Sequence, residues 1–260
     1  MELIKSVPVQ VVITRIFILI IPAIISCSST RPRCLEYFDQ IVLVNSGSLN
    51  RTQIAQLIDQ VSIYEPKVIG FNGVFATEKS GDGVLINTLN NIDNLVLAAS
   101  TAGENIEKSY FDKNRFGSTD FLLDWKDEVS TYQLFFESND SLVMSFPLKV
   151  LQAYDSSYAT LKRNMNEYDI IYNGNCMCFP IVDHKAVMSN NVNDQLLNNK
   201  IVLLGYLGDD YNPGFCVEGE RNVFPTPLNA VEYKYENDRN NMHGTLILAN
   251  IIYSIIKQNE

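Results

Sequence analysis

The stretch IVLVNSGSLNRTQIAQLIDQV, residues 41–61, contains a strand and a helix in direct succession. Its first four residues are apolar without interruption, which is typical of a strand buried on both faces. A helix that Ser48 or Asn50 could cap comes next, because apolar residues then recur at the spacing i, i+3, i+4 and i+7. These apolar positions are Ile54, Leu57, Ile58 and Val61. The stretch therefore predicts the first strand–helix unit of a parallel sheet.

The same alternation of strand and helix continues along the chain. Pro66 ends the first helix, and apolar runs at residues 68–71 and 95–99 flank a second helical pattern at 84–92. Three strands joined by two helices in this order require right-handed crossovers and parallel pairing. We therefore predict an α/β fold in a single domain, with a mainly parallel sheet and helices on both faces.

The second half of the chain is less regular, and its elements are predicted one by one. Strands are expected at 132–136, 169–172 and 201–205, and helices at 142–154 and 245–257. Pro147 must lie in the first turns of its helix. Two stretches with polar, Pro-rich or Gly-rich composition, 102–130 and 209–241, are expected to form surface loops.

The overall composition excludes some functions before any motif is considered. The 260 residues suffice for one large domain or two small ones, and 46% hydrophobic residues indicate a globular protein. The net charge of −10 argues against nucleic acid as a partner, because binding to phosphate backbones depends on clustered Lys and Arg. Only His184 and His243 could act as imidazole ligands or bases, and no cofactor is predicted.

The amino-terminal segment is predicted to reach a membrane. Residues 16–25 are all apolar or proline, and fifteen residues separate Arg15 from Arg31. A spanning helix needs about 20 residues, whereas the apolar region of a signal peptide needs roughly 7–15. The length favours a signal peptide. An uncleaved membrane anchor that starts near Val7 stays open as an alternative, and a buried strand is the least favoured interpretation.

Cys27 marks the end of this segment. The run IISC, residues 24–27, resembles the signal of a bacterial lipoprotein, with a small residue directly before the thiol that would carry the lipid. The predicted organisation is a signal peptide or membrane anchor at 1–27, a flexible tether at 28–37 and a domain at 38–260. Residues beyond Cys27 are therefore expected on the periplasmic or extracellular face of a membrane.

Four further cysteines follow Cys27, and their disulfide state is open. They are Cys34, Cys176, Cys178 and Cys216. An even number outside the cytoplasm permits disulfides. If 176–178 is a strand, its two thiols face the same side and either could meet Cys216. The alternative is that all four are small buried apolar residues, and no metal site is predicted, because the sequence lacks a second thiol pair at zinc spacing.

Several short stretches, in this order and spacing, resemble one known family. They are IVLVNSGSLNRTQIAQLIDQV, PKVIGFNGVF, NLVLAAS, MSFPLKVLQAY, IIYNG, LNNKIVLLGYLGDD, FPTPLN and MHGTLILANIIYSII, spread over residues 38–257. The chain resembles the second type of CHASE domain, the cyclase- and histidine-kinase-associated sensory extracellular domains of bacteria. The resemblance implies an extracytoplasmic α/β sensor, placed beside membrane helices that lead to an output module, with a generally undefined ligand.

The chain departs from the family pattern at the strand ends. Asn45 follows the first strand and Asn72 the second, at positions where the family commonly has acidic residues. Leu248 stands in the late helix where a histidine is frequent, and the chain stops at Glu260 without an output module. If the domain signals, the resemblance therefore implies a separate signalling partner protein.

The ends of the parallel strands are the predicted ligand site. Asn45, Asn72 and Gly205 should meet there, since open α/β sheets bind ligands at the carboxyl ends of their strands. Asparagine can hydrogen-bond a neutral ligand but supplies neither charge nor a titrating proton near neutral pH. The competing interpretation is that these side chains cap helices and brace loops. The complete set of predicted ligand contacts is Asn45, Asn72, Asp82, Gly205, Asp209 and Thr226.

No catalytic residue is predicted. The sequence has no G-x-S-x-G elbow, and each histidine is expected to be a capping or surface residue. We therefore predict a non-catalytic, membrane-anchored sensory domain of a bacterial protein that binds an unknown small molecule. The alternatives are a structural or scaffold lipoprotein with a vestigial pocket and, less favoured, a hydrolase on the same sheet.

Overall fold

The computed structural model describes residues 34–75, 77–100, 115–138, 141–174, 176–209, 223–227 and 240–260. Residues Pro32–Glu260 form one compact unit. The predicted signal or anchor, with its lipidation at Cys27, lies outside the described residues, as does Cys216. The division of the chain at residues 27 and 37 stays a prediction. Among the described residues, no helix combines the length and apolar character needed to cross a bilayer.

The described ranges contain twelve strands and six α-helices. In chain order they are β1 (Ile41–Asn45), α1 (Arg51–Ile63), β2 (Val68–Asn72), α2 (Asp82–Asn90), β3 (Leu95–Ala99), β4 (Phe116–Ser118), β5 (Thr131–Gln133), β6 (Phe135–Ser138), β7 (Ser141–Met144), α3 (Phe146–Tyr154), β8 (Glu167–Asp169), β9 (Ile181–Asp183), α4 (His184–Met188), α5 (Asp194–Leu197), β10 (Ile201–Gly205), β11 (Val223–Thr226), β12 (Asn240–His243) and α6 (Gly244–Asn259). Short 3₁₀ helices lie at Ser156–Thr160 and Cys176–Cys178.

Six of these strands form one sheet in which every neighbouring pair is parallel. The order across the sheet is β4-β3-β2-β10-β1-β9. β1, β2, β3 and β10 are apolar runs that are buried almost completely, as expected for strands covered on both faces. The predicted parallel α/β fold is confirmed, and these four strands begin and end within one residue of their predicted bounds.

Helices α1, α2, α4 and α5 cover one face of the sheet, here called the α1 face. The side chains that α1 and α2 bury in its apolar cluster are Leu57, Ile58, Val61, Leu85 and Leu89. Of the two predicted caps of α1, Asn50 is the one used. Its Oδ1 accepts the Gln53 N–H at 3.0 Å, and Gln53 Oε1 accepts the Asn50 N–H at 3.0 Å. This reciprocal pair is a capping box, which satisfies two of the amide donors at the helix start.

Helices α3 and α6 cover the opposite face, here called the α6 face, so the prediction of helices on both faces is confirmed. Every residue of α6 from Gly244 to Ile256 is buried. Tyr132, Leu134 and Ile170, from the segments around the β5–β8 ribbon, belong to the same apolar cluster as α6. A helix buried on nearly all sides is typical of a protein interior rather than of a surface layer.

Polar side chains at i, i+4 and i+8 on α6 contact the chain segment 169–174. These are Asn250, Ser254 and Gln258, here called the polar ladder. Asn250 Oδ1 accepts the Asn173 N–H at 2.8 Å, and Asn250 Nδ2 donates to the Gly174 carbonyl at 3.1 Å. Buried backbone groups need such partners, since an unsatisfied one costs about 1–3 kcal/mol.

The other two members of the polar ladder bond the earlier part of the same segment. Ser254 Oγ accepts the Ile171 N–H at 2.8 Å, and Gln258 Nε2 donates to the Asp169 carbonyl at 3.3 Å. The prediction of a strand at 169–172 is therefore wrong. β8 ends at Asp169, and the ladder takes the place of a partner strand for the residues that follow.

A disulfide joins Cys34 to Cys178 across a sequence separation of 144 residues, with their Cα atoms 5.3 Å apart. Cys178 lies in the 3₁₀ helix at 176–178, so the strand considered for this stretch does not form. Its partner is Cys34 and not Cys216. The interpretation of all four cysteines as unlinked apolar residues is therefore wrong for this pair.

Predicted bounds on the α6 face need correction. The helix expected at 142–154 begins at Phe146, because residues 141–144 pair with β6 and Ser145 caps α3. Pro147 lies in the first turn, as predicted. The strand expected at 132–136 divides at Leu134 into β5 and β6, which pair with different partners.

Two stretches predicted as loops contain strands. The segment 102–130 includes β4, which pairs with β3 at the edge of the main sheet. The segment 209–241 includes β11, which pairs antiparallel with β12. β9 at the opposite edge was not predicted either. These strands are only three or four residues long, so they leave little periodicity in the sequence.

Candidate functional site

The carboxyl ends of four parallel strands lie in one row. The register pairs Asn45 of β1 with Gly205 of β10 and with Asp183 of β9. It also pairs Gly205 with Asn72 of β2. The predicted meeting of Asn45, Asn72 and Gly205 is thereby confirmed. We call Asp183, Asn45, Gly205 and Asn72 the strand-end row.

The row lies where the connections of the sheet diverge. β1 and β2 continue into α1 and α2 on the α1 face, whereas the chain after β10 leads to α6 on the other face. Connections that leave neighbouring strands toward opposite faces open a crevice at the carboxyl ends, and open α/β sheets bind ligands in such crevices. The end of β10, between β1 and β2, is therefore the candidate site.

The first turn of α6 closes onto this row. Asn72 Nδ2 donates to Thr245 Oγ1 at 3.0 Å. A Cβ atom at position 205 would collide with the Thr245 side chain, so glycine is required for this close approach. The first turn of a helix carries N–H groups without intrahelical acceptors, together with the positive end of the helix dipole. Both features adjoin Asn72 and Gly205.

Asn45 braces two loops with both ends of its amide. Its Oδ1 accepts the N–H of Gly47 at 3.1 Å and the N–H of Leu207 at 2.9 Å. Its Nδ2 donates to the Gly208 carbonyl at 2.9 Å, and the side chain is completely buried. This is the loop-bracing role that the sequence left as the alternative to ligand contact. It fixes the loop after β1 to the loop after β10.

Asp209 reinforces the same junction. Its Oδ1 accepts the Ser48 hydroxyl at 2.5 Å, and the Ser46 N–H donates to the Gly205 carbonyl at 2.9 Å. Together with Asn45, these contacts close the side of the row between β1 and β10. On the side between β10 and β2, the Asn72 side chain bonds the Thr245 side chain.

Asp82 lies at the contact between α1 and α2 and not in the row. Its Oδ1 is 3.2 Å from Arg51 Nε. Arg51 also donates to the Thr77 carbonyl at 3.3 Å and lies 4.0 Å from the centre of the Phe75 ring. Burial lowers the pKa of Arg51, and the Asp82 charge opposes this effect. Asp82 thus holds the loop after β2 through Arg51.

Thr226 lies in the antiparallel β11–β12 ribbon, outside the parallel strands that form the row. In this ribbon Val223 pairs with His243, directly before α6, and Thr226 pairs with Asn240. Thr226 is buried, and its contact with a ligand stays a prediction.

Two neighbouring residues were not included among the predicted site residues. Asp183 ends β9 within the row, and its Oδ1 caps α4 by accepting the Lys185 N–H at 2.9 Å. His184 Nδ1 lies 3.5 Å from Asp183 Oδ1, and its ring packs against Gly47, which has a φ of +51°. The sequence signal was a short apolar pair followed by an N-cap residue, which is weak in so short a strand.

The chemistry of the row is hydrogen bonding. Asn45, Asn72 and Thr245 supply neutral amide and hydroxyl groups, and Asp209 is bonded to Ser48. Across the ranges that the structure describes, no three His, Cys, Asp or Glu side chains gather as a possible metal-ligand set. The arrangement therefore suits recognition of a ligand by donors and acceptors.

The chain matches a known protein family. A family model described as the CHASE2 domain matches residues 36–260, which is most of the chain. That family consists of extracellular sensory domains, so a sensory role and an extracytoplasmic location follow at this level. No curated protein and no solved structure matches the chain.

Proposed function

The chain belongs to the CHASE2 domain family, and we propose that it is a membrane-anchored, non-catalytic sensor that binds a small uncharged molecule at the strand-end row. The observation that supports this most is the position of Asn72, Gly205 and Thr245 beside the first turn of α6. They lie where the connections of the sheet diverge, which is the usual ligand site of such folds.

The residues of this site favour an uncharged ligand. An amide offers two donors and an acceptor, so Asn72 has hydrogen-bonding capacity beyond its bond to Thr245. Asn72 and Thr245 are neutral, so a charged ligand between β10 and β2 would lose its hydration with only the partial charge of the α6 dipole, about half an elementary charge, to offset the loss. A molecule with several hydroxyl or amide groups would exchange its bonds to water for bonds to Asn72, Thr245 and backbone groups.

Signalling would pass through α6. Thr245 connects the row to this helix, which is buried as one rigid element as far as Ile256. A ligand that binds one position of Thr245 better than another shifts the population of α6 positions by its differential affinity. Output would then come from a separate partner protein that contacts α6 or its surroundings.

The test of ligand binding is thermal unfolding of the purified full chain with a panel of neutral sugars, nucleosides and amides. A ligand present at 100 times its Kd should add about 2.7 kcal/mol to the free energy of unfolding. The Asn72→Leu variant should lose this gain, whereas the control Asn91→Ala, at the exposed carboxyl end of α2, should retain it. Stabilisation that survives Asn72→Leu would place the ligand elsewhere, and no stabilisation by any compound would contradict the proposal.

We also propose lipidation of Cys27 as the means of anchoring. The Cys34–Cys178 disulfide supports an oxidising compartment for the residues that follow. Mass spectrometry of the amino-terminal peptide from membranes should find diacylglyceryl on Cys27, and Cys27→Ser should abolish both the lipid and the processing. An intact peptide that starts at Met1 would instead establish the uncleaved anchor.

A second candidate function is a scaffold lipoprotein whose ligand crevice is vestigial. The observation that favours it is the internal use of the predicted contacts: Asn45 braces loops, Asp209 bonds Ser48 and Asp82 pairs with Arg51. This function predicts that no metabolite raises the thermal stability of the parent chain, and that Asn72→Leu leaves the cellular phenotype unchanged.

A further inference from the structure

Exposed apolar side chains surround the Cys34–Cys178 disulfide. Leu35 and Tyr37 are each 65% exposed, and Met177 is 42% exposed. Leu35 and Met177 are direct neighbours of the two bridged cysteines, whose Cα atoms are 5.3 Å apart. Their own Cα atoms therefore lie no more than about 13 Å apart. We call Leu35, Tyr37 and Met177 the amino-terminal patch.

The backbone beneath this patch is held in place. The Leu35 N–H donates to the Asn173 carbonyl at 2.9 Å, and the Glu36 N–H donates to Asn173 Oδ1 at 3.0 Å. The Phe38 N–H donates to the Cys178 carbonyl at 3.0 Å. A surface presented from a fixed backbone loses little conformational entropy when it binds a partner. The exposure of Leu35 and Tyr37 is thus a property of a fixed surface.

The charges beside the patch are largely paired. Glu36 Oε1 lies 3.0 Å from Lys257 Nζ on α6, and Lys257 also contacts Glu260 at 3.0 Å. Phe38 is buried and packs edge-to-face on Tyr253 of α6, with ring centres 5.1 Å apart. The segment that carries the patch therefore packs against the carboxyl-terminal half of α6, and the carboxylate of Glu36 within it is paired with Lys257.

The length and charge of the chain before Cys34 indicate what covers this surface. Six residues, 28–33, lie between Cys27, the proposed site of lipidation, and Cys34, so they span at most about 22 Å when fully extended. Two of them are Arg31 and Arg33, and each basic residue near an anionic lipid surface contributes about 1 kcal/mol of attraction. Cys34 is therefore kept close to the headgroups by a short basic connection.

We propose that the amino-terminal patch lies against the lipid surface beside the anchor, with Leu35 and Tyr37 in the headgroup region. The proposal rests on the membrane anchoring given under the proposed function. Tyrosine is enriched at bilayer interfaces because its ring is apolar and its hydroxyl is hydrated. Tethering makes the contact intramolecular in effect, so a weak intrinsic affinity for lipid is enough to orient the domain.

The test uses the full chain reconstituted into phosphatidylcholine–phosphatidylglycerol vesicles, with and without brominated acyl chains. Trp125→Phe removes the native tryptophan, and Tyr37→Trp then places a reporter in the patch. Ile63→Trp in the same background is the matched control, because Ile63 is also 65% exposed but lies at the end of α1. We expect bromine to quench the reporter at position 37 about threefold more than the one at position 63.

Flotation of the same vesicles separates failure of the patch from failure of the anchor. A chain that does not float with the vesicles contradicts the anchoring itself. A chain that floats with equal, weak quenching at positions 37 and 63 overturns the lipid contact alone. Crosslinking between copies through Tyr37→Cys, without bromine quenching at position 37, also overturns it and assigns the patch to a second copy of the chain. In the reporter chain, Leu35→Gln should reduce the quenching at position 37 while flotation is retained.

Discussion

On the α1 face of the sheet, α1 and α2 bury one apolar stripe each and leave their other sides in water. On the α6 face, α6 is buried from Gly244 to Ile256 and covered by further chain. A surface helix needs only apolar contacts and a capped end. Around a helix buried on all sides, the neighbouring backbone also has no access to water, so its N–H and C=O groups need partners within the protein.

On the α6 face, the polar ladder supplies hydrogen-bond partners for backbone groups that have no access to water. Asn250, Ser254 and Gln258 bond the backbone of a segment that has no strand partner over most of its length. The disulfide then links this region to the start of the domain. The α1 face thus depends mainly on local sequence patterns, whereas the α6 face depends on pairs of residues far apart in the chain.

Among the substitutions that test this contrast, removal of the disulfide should lower the free energy of unfolding most. The double variant Cys34→Ser, Cys178→Ser frees a loop with a sequence separation of 144 residues, which costs up to about 5 kcal/mol in chain-entropy terms. Urea unfolding monitored by circular dichroism gives the change in the free energy of unfolding. Cys176→Ser is the control and should leave the bridge intact. An unchanged unfolding energy in the double variant would show that the bridge does not stabilise the α6 face.

Asn250→Leu should have the next largest effect. The substitution keeps the branched shape of the side chain but leaves the Asn173 N–H and the Gly174 carbonyl without their partner, so we expect a loss of about 3 kcal/mol or more. Ile58→Val is the comparison on the α1 face and should cost about 0.5–1.5 kcal/mol. If the cost of Asn250→Leu fell below that of Ile58→Val, the contrast between the two faces would be refuted.

Tyr172→Phe tests the α6 face through pH. The Tyr172 hydroxyl donates to the Val129 carbonyl at 2.6 Å, and its removal should cost about 1–2 kcal/mol at neutral pH. Burial, and next the charge of Glu128, raise the pKa of Tyr172 above the value of about 10 expected in an unfolded chain. Its contribution is therefore complete below pH about 10 and is lost as the pH rises further, because the unfolded chain releases the proton first.

The measurement is urea unfolding between neutral pH and pH about 11, a range that spans the pKa of an unperturbed tyrosine. Stability should fall less steeply with rising pH in Tyr172→Phe than in the parent chain. Tyr64→Phe, at the end of α1, is the control from the other face. Parallel pH profiles for the parent chain and Tyr172→Phe would contradict the assignment of alkaline sensitivity to this hydroxyl.

Of the four substitutions, Asn50→Ala should lower the free energy of unfolding least. It tests a local polar contribution on the α1 face. Loss of the capping box with Gln53 should cost about 1 kcal/mol, because the amide donors at the start of α1 return to water. Ser48→Ala, two residues earlier, removes an exposed hydrogen bond and should cost less than about 0.5 kcal/mol. Equal costs for the two variants in chemical denaturation would mean that the cap is not the main polar contribution on this face.

The sequence was sufficient for the centre of the fold. β1, β2, β3 and β10 were predictable because strands buried on both faces leave uninterrupted apolar runs. The helix predicted at 245–257 is α6 with slightly longer bounds. The burial of these elements is visible as an apolar pattern within a short stretch of sequence, which is where periodicity can be detected.

The parts that could not be predicted depend on distant partners. Residues 169–172 look like a strand, but β8 ends at Asp169, and side chains of α6 bond the Asp169 carbonyl and the Ile171 backbone. Nothing in the local sequence reveals these distant partners. The pairing of Cys34 with Cys178 follows from the position of a 3₁₀ helix next to the first residues of the domain. Spacing alone left every pairing of the four cysteines open.

The candidate site shows the same division. The row of Asn45, Gly205 and Asn72 was predictable, because the ends of parallel strands align in any such sheet. The partners of the other predicted residues were not, since Asp82 meets Arg51 and Asp209 meets Ser48 through loop conformations. Thr226 lies in the β11–β12 ribbon, and its contact with a ligand stays a prediction.

The disulfide also decides how the domain would carry tension between its two ends. A pull that enters at Cys34 crosses directly to Cys178, so a stretch with a sequence separation of 144 residues stays outside the path of the force. Without the bridge, that stretch could unravel by about 500 Å. Within the strand-end row, Asp183 and Gly205 belong to strands in the path, whereas Asn45 and Asn72 belong to shielded ones. Traction on the tether would therefore enter the sheet through β9 and β10, whose ends adjoin the crevice.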